Sequence, residues 1–338
     1  SVLAAEYDLS EGSVTVSTST GADGSIKQNV NHKGKDTEDS NPTISSNGKQ
    51  TDNTITIKAE AGTTANVTVK DTNISTDDAA IKTDGKGDVN LNVEGTNTVS
   101  SGSNHAGVEK KNEGNLTIGS ESGKGKLTAN GGTHGAGIGG VYDNGIYHGD
   151  SSDITISGGE VAANGGEGAA GIGGGFCGSG SDITITGGEV TANGGFQAAG
   201  IGGGYCGGGS DITITGGEVA ANGGEAGAGI GGGHSGIGND ITISGGDVTA
   251  NGGYYGAGIG GGYRNGGSDI TISKDSRVEA NGGAGGGAAI GGGGNDTING
   301  SEVEPDTSGL YTTGKVERKR GDGTVLDTIT GTVEPPAK

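Results

Sequence analysis

The most constraining feature of this sequence is a period. Isoleucine recurs at Ile154, Ile183, Ile212, Ile241 and Ile270, 29 residues apart each time, within a phrase that begins DITISGGEVAANGG. Self-similarity at about 20 to 50 residues implies one supersecondary unit per repeat, stacked so that neighbours bury what one unit alone cannot.

Each unit carries three short runs, typically D-I-T-I-(S/T), (E/D)-V-(A/T)-A-N and A-G-I-G-G, separated by Gly-Gly or a longer Gly-rich loop. Apolar alternation rich in β-branched residues reads as half-buried strands. A helix is disfavoured, since each interior Gly costs about 1 kcal/mol relative to Ala. Three strands per coil, each parallel to its counterpart one repeat later, define an all-β right-handed parallel β-helix, the hand being the default for parallel crossovers. The third-strand column Ile172, Ile201, Ile230, Ile259 and Ile290 continues upstream through Ile138, Val108 and Ile81. The first-strand column extends through Leu116 with Ile118, Leu91 with Val93, and Val67 with Val69. The solenoid is therefore expected over residues 50–305, in about eight or nine coils spanning about 40 Å, with an insertion around Asp143 to Asp150.

Residues 1–49 and 306–338 break the pattern and read as caps, because the bare end of a parallel stack is a template for aggregation. The second reads equally as the edge of a following module, ending in a Glu-Pro-Pro linker. SVLAAE fits the remnant of a cleaved signal, and the lack of Met fits a piece of a larger multidomain protein, expected to be monomeric. A formal charge of −21 argues against nucleic acid and anionic membrane as partners. No segment is long and apolar enough to insert in a bilayer. Cys177 and Cys206 are 29 residues apart, so they occupy one loop position in adjacent coils, about 5 Å apart. A disulfide is expected, and with it an extracellular setting, secreted or wall-attached.

Alternation turns Ile, Leu, Val and Ala inward, leaving a slim aliphatic core. Asn130, Asn164, Asn193, Asn222, Asn251 and Asn281 end the second strand and should form an amide ladder. Outward, the first strand shows Thr155, Thr184, Thr213, Thr242 and Thr271, with Ser or Thr two residues on. The third strand shows a bare glycine face, as at Gly171 with Gly173 and Gly200 with Gly202. Eight of the ten aromatic residues border it: Phe196, Tyr254 and Tyr255 on one side, Tyr142, Tyr147, Phe176, Tyr205 and Tyr263 on the other, with His234 in register. A smooth strip flanked by rings suits a flat glycan; the simpler reading is that the rings only shield the core.

Acidic rows are the third outward feature. Asp153, Asp182, Asp211, Asp240 and Asp269 precede the first strand, and Glu160, Glu189, Glu218 and Asp247 the second. Carboxylates in register repel by about 1 to 3 kcal/mol per pair. Either solvent and neighbouring donors offset this, or Ca2+ bridges the aspartates. Catalysis finds little footing, because uniform ladders are poor material for a unique site, and His105, His134, His148 and His234 show no metal spacing. Arg320-Gly-Asp reads as part of a hairpin turn at Asp322-Gly323 rather than an attachment triplet.

The run Gly245 to Gly262, GGDVTANGGYYGAGIGGG, together with the opening Tyr7-Asp-Leu-Ser-Glu-Gly-Ser-Val-Thr-Val, resembles Gly-rich β-helical regions of secreted or wall-attached proteins of Gram-positive bacteria. The resemblance implies a carbohydrate-binding-like role; some relatives of that setting bind calcium and acidic polysaccharide. The expected function is thus an extracellular adhesin or carbohydrate-binding module, not an enzyme, whose partner is a glycan or a cell-surface protein. The alternatives are a stiff spacer without a ligand and ice binding by the Thr array.

Overall fold

The computed structural model describes residues 6–142 and 149–337. Tyr147, His148, most of the expected insertion and the first five residues lie outside them.

Each repeat contributes one strand to each of three sheets, as with Ile183–Ile185, Glu189–Asn193 and Ile201–Gly202. Among the described residues the first sheet has ten strands, the second eleven and the third twelve. Strands pair in parallel without slip, so Ile154, Ile183, Ile212, Ile241 and Ile270 lie directly over one another. With side chains alternating along each strand, every such isoleucine is 3% exposed or less and all share one continuous core. The chain is a right-handed parallel β-helix.

At the second-strand corner the Asn side chains form the expected ladder. Asn164 donates to Asn130, Asn193 to Asn164, Asn222 to Asn193, Asn251 to Asn222 and Asn281 to Asn251, all at 2.7–2.8 Å. Its foot is the Asn130 donation to Ser100 Oγ at 3.0 Å.

Two features of the sequence reading are corrected. Leu116 and Ile118 sit over Val89 and Leu91, not over Leu91 and Val93. A shift of two residues keeps the same face inward, so hydrophobic pattern alone does not distinguish the two registers. Parallel pairing also passes 50–305 at both ends. Glu6–Asp8 pairs with Thr43–Ser45 and Val14–Thr20 with Ile55–Ala59, both parallel. A one-turn 3-10 helix, Leu9–Glu11, stands between them where later coils have a second-sheet strand. The antiparallel strands Ile26–His32 and Lys35–Glu38 then close that end of the third sheet, and this excursion hides the period. At the other end, Lys315–Lys319 pairs in parallel with Arg277–Asn281, and Val325–Thr330 folds back antiparallel. The Arg320 to Thr324 turn joins them, with Gly323 N–H donating to Arg320 O at 2.9 Å.

The glycine face is not a surface: Gly171, Gly173, Gly200 and Gly202 are buried. The loops on either side of each third strand meet above it. Tyr205 N–H donates to Gly168 O at 2.8 Å, His234 N–H to Gln197 O at 2.8 Å and Tyr263 N–H to Ala226 O at 2.9 Å, tying one loop to the other across neighbouring coils. Glycine permits this contact of backbone on backbone. A Cβ at Gly231, where φ is +132°, would run into the carbonyl oxygen of Gly260 in the next coil. By contrast, a Cβ at Gly266 meets nothing within 4 Å. Gly231→Ala should therefore lower stability by more than about 3 kcal/mol, while Gly266→Ala stays within about 0.5 kcal/mol of the parent in urea unfolding.

Candidate ligand-binding face

The rings do not border an open strip. Phe176, Tyr205, His234 and Tyr263 stack on one another along the loop ridge, with centroids 5.6, 5.0 and 4.9 Å apart and interplanar angles of 12 to 28°. His134 and Tyr142 extend the stack at its foot. At its head Tyr255 meets Tyr263 edge-on at 5.2 Å, so the two supposed borders touch. Tyr254 packs on Tyr255, whose hydroxyl donates to Asp296 at 2.9 Å. Along the stack, ring faces that a sugar would need are occupied by other rings, which stabilises it. Phe196 and Tyr254 keep about half their area exposed, at 50% and 48%. Burial pushes the His234 imidazole below its ordinary value.

Beside this ridge Cys177 and Cys206 are joined in a disulfide, their Cα atoms 4.2 Å apart. Closing a separation of 29 residues, the bond should contribute about 3 to 4 kcal/mol by restricting the unfolded chain.

The open ground lies on the first sheet. Asn66, Asn90, Thr117, Thr155, Thr184, Thr213, Thr242 and Thr271 stand in one outward column, which Asp306 completes through a parallel bridge to Thr271. At one strand spacing per step this column runs about 38 Å. A trough of about 920 Å³ follows its upper part, lined by Thr184, Thr213, Thr242 and Thr271, by all five aspartates of the first row, and by Glu304 and Asp306 at its end. A second hollow, of about 430 Å³, continues the same face downward over Asn66, Asn90, Asn92 and Thr117.

Asp153, Asp182, Asp211, Asp240 and Asp269 have φ between 49° and 57°. They occupy a left-handed corner that Asp and Asn tolerate better than most residues. Hydroxyls of Ser152 and Ser268 donate to Asp153 and Asp269 at 2.6 and 2.8 Å. The carboxylates form a line, not a cage: among the described residues no group of three or more His, Cys, Asp or Glu side chains is arranged to hold a metal ion. The other acidic row is different. On the second sheet Lys126 lies in register below Glu160 and pairs with it at 2.6 Å, and Arg277 lies in register above Asp247.

Two buried ionic groups escaped sequence reasoning because each sits where the repeat is broken. Glu109 replaces the column glycine one coil below Gly139, is 1% exposed, and meets His105 Nδ1 at 2.7 Å and Lys111 Nζ at 3.5 Å. Beside it Lys110 is buried, donates to Asn112 O at 2.6 Å, and has its ammonium pushed below the ordinary range by burial. At the C-terminal end Arg318 Nε donates to Asp327 at 2.7 Å and its Nη2 to Glu304 at 2.8 Å.

The fold is a β-helix built of repeats, with two hollows along the outer face of its first sheet. Residues 154–176, 183–205, 212–234 and 241–263 each match the family model described as Beta helix repeat. No curated protein and no solved structure matches the chain. Among the described residues no helix is long and apolar enough to cross a membrane.

The Arg318 hydrogen bonds hold the Asp327 carboxyl below its usual range. A lowered carboxyl contributes its full stability above the unfolded value of about 3.9, and that contribution is lost as pH falls from there through the lower folded value. Amide exchange should show the C-terminal hairpin opening first below about pH 4, and Asp327→Asn should remove this pH dependence while weakening the hairpin at neutral pH.

Proposed function

We propose that this chain is an extracellular adhesin or carbohydrate-binding module that holds an extended polysaccharide along the outer face of its first sheet, without catalysis. The observation that carries the reading is the alignment of the trough and the amide-lined hollow on one face, with hydroxyls and amides repeating in register along both. Such groups match the hydroxyls of a sugar chain, and a groove running along the solenoid axis matches a ligand that is itself a repeat. An exported setting is consistent with the disulfide. Calcium joining the aspartates to an acidic glycan is one form of the same reading.

A second reading, a stiff spacer with no ligand, is favoured by the amide ladder and the ring stack, both of which use their groups between coils. A glycan array run with calcium and again with a chelator separates the two. Binding is expected, and Thr213→Val with Thr242→Val should weaken it at least about tenfold, the loss of one or two hydrogen bonds. Silence in both conditions supports the spacer. Loss of binding in Tyr205→Ala, with the Thr variants intact, would move the site to the ring ridge.

A further inference from the structure

The chain is rich in a dipeptide with chemistry of its own. Each of the six ladder asparagines precedes a glycine, as do Asn47, Asn144, Asn265 and Asn299. Asn144 lies outside the described residues. In an Asn-Gly pair the glycine nitrogen, unshielded by a side chain, attacks the asparagine Cγ, a cyclic succinimide forms with loss of ammonia, and water opens it to aspartate or isoaspartate. The attack needs a backbone N–H free of its hydrogen bond and a side-chain amide free to turn toward it.

The solenoid withholds both from the ladder. Gly131, Gly165, Gly194, Gly223 and Gly252 each donate their N–H to the backbone oxygen of the next ladder asparagine at 2.8–2.9 Å, and Gly282 donates to Lys319 O at 2.9 Å. The amides are held as well, as Asn193 is by Asn164 below and Asn222 above. Outside the ladder, Gly48 N–H donates to Asp71 O at 2.8 Å and Gly300 N–H to Gly286 O at 2.7 Å. Gly266 differs from all of these. It is exposed, its N–H meets no acceptor among the described residues, and nothing stands within 4 Å of where a Cβ would be. The Asn265 amide is restrained by one hydrogen bond among the described residues, from Nδ2 to Tyr263 O at 3.0 Å.

We propose that Asn265 is a modification site at which the folded chain converts itself to aspartate or isoaspartate, with water as the co-reactant, while the ladder keeps its own asparagines intact. The Gly266 nitrogen bonds to Asn265 Cγ, the bond from Cγ to Nδ2 breaks, and the proton lost from the Gly266 nitrogen leaves with Nδ2 as ammonia. Water then adds at either ring carbonyl and reopens the ring. The product carries a new carboxylate next to Arg264, whose guanidinium lies over the Tyr263 ring at 5.3 Å from its centroid, at the head of the ring stack. Isoaspartate also lengthens the backbone by one methylene in a loop where Asn265 N–H donates to Gly262 O and Asn265 O accepts from Gly293 N–H, both at 2.9 Å. Charge and loop path thus change on the ridge alone, away from the core and the ladder.

Peptide mapping by mass spectrometry tests this on the whole chain, held folded in mildly alkaline buffer beside a sample in urea, with both quenched in acid before digestion. Trypsin releases Asn265 to Lys274 as a peptide whose one asparagine is Asn265, and a glutamate-specific protease helps to resolve the ladder positions. In the folded sample Asn265 should convert at least about tenfold faster than any ladder asparagine, because a ladder pair must first open two hydrogen bonds more. In urea the rates should draw level. Gly266→Ala should slow conversion of Asn265, since a side chain on the attacking residue crowds ring closure, and should leave the ladder unconverted. An Asn265 that stays intact in the folded chain while it converts in urea would overturn the proposal. So would ladder asparagines that convert in the folded chain as fast as Asn265, or a Gly266→Ala chain that converts at the parent rate.

Discussion

Everything in this molecule depends on parallel backbone pairing in unbroken register, which sets residue i directly over residue i + 29 from Ile154 to Ile270. Whatever side chain a position carries is then repeated about 4.8 Å away. For isoleucine this makes a continuous core, for asparagine a chain of amide hydrogen bonds, and for the loop rings a stack. For aspartate it makes a line of like charges. The same geometry thus yields both what holds the coils together and a row of like charges along the first-sheet trough.

Glycine has a different purpose from the one its flat, exposed-looking pattern suggests. A strand of two residues, such as Ile172–Gly173, offers little sheet. Its coil is completed by two loops that close over it and bond to one another. Backbone approaches backbone there so closely that a Cβ has no room. The loops, in turn, bring the aromatic residues of both sides into one ridge. Rings that sequence spacing places on two borders end as neighbours, Tyr255 against Tyr263.

Ends follow another rule. Where the period stops, the open backbone of the last coil needs a partner that does not invite a further one. Both ends use an antiparallel hairpin, at Ile26–Glu38 and at Lys315–Thr330. The second is held by Arg318 between Asp327 and Glu304. Such contacts occur once, so no repeat announces them. The same holds for Glu109 and its partners, in the coil where the glycine column fails.

The architecture, the core columns from Ile154 to Ile270, the Asn ladder and the Cys177–Cys206 pairing were legible in the amino-acid order, because a strict period converts spacing along the chain directly into distance in space. So was the outward Thr row of the first strand, since strand alternation assigns faces. Which outward rows remain accessible follows from the packing of the loops. Exposure of the third strand depends on where long Gly-rich loops travel, and glycine, with no side chain and broad backbone freedom, encodes almost nothing about that path. The loops close over the glycine face and leave the first sheet open, so the candidate site lies among threonines and aspartates and not among the rings.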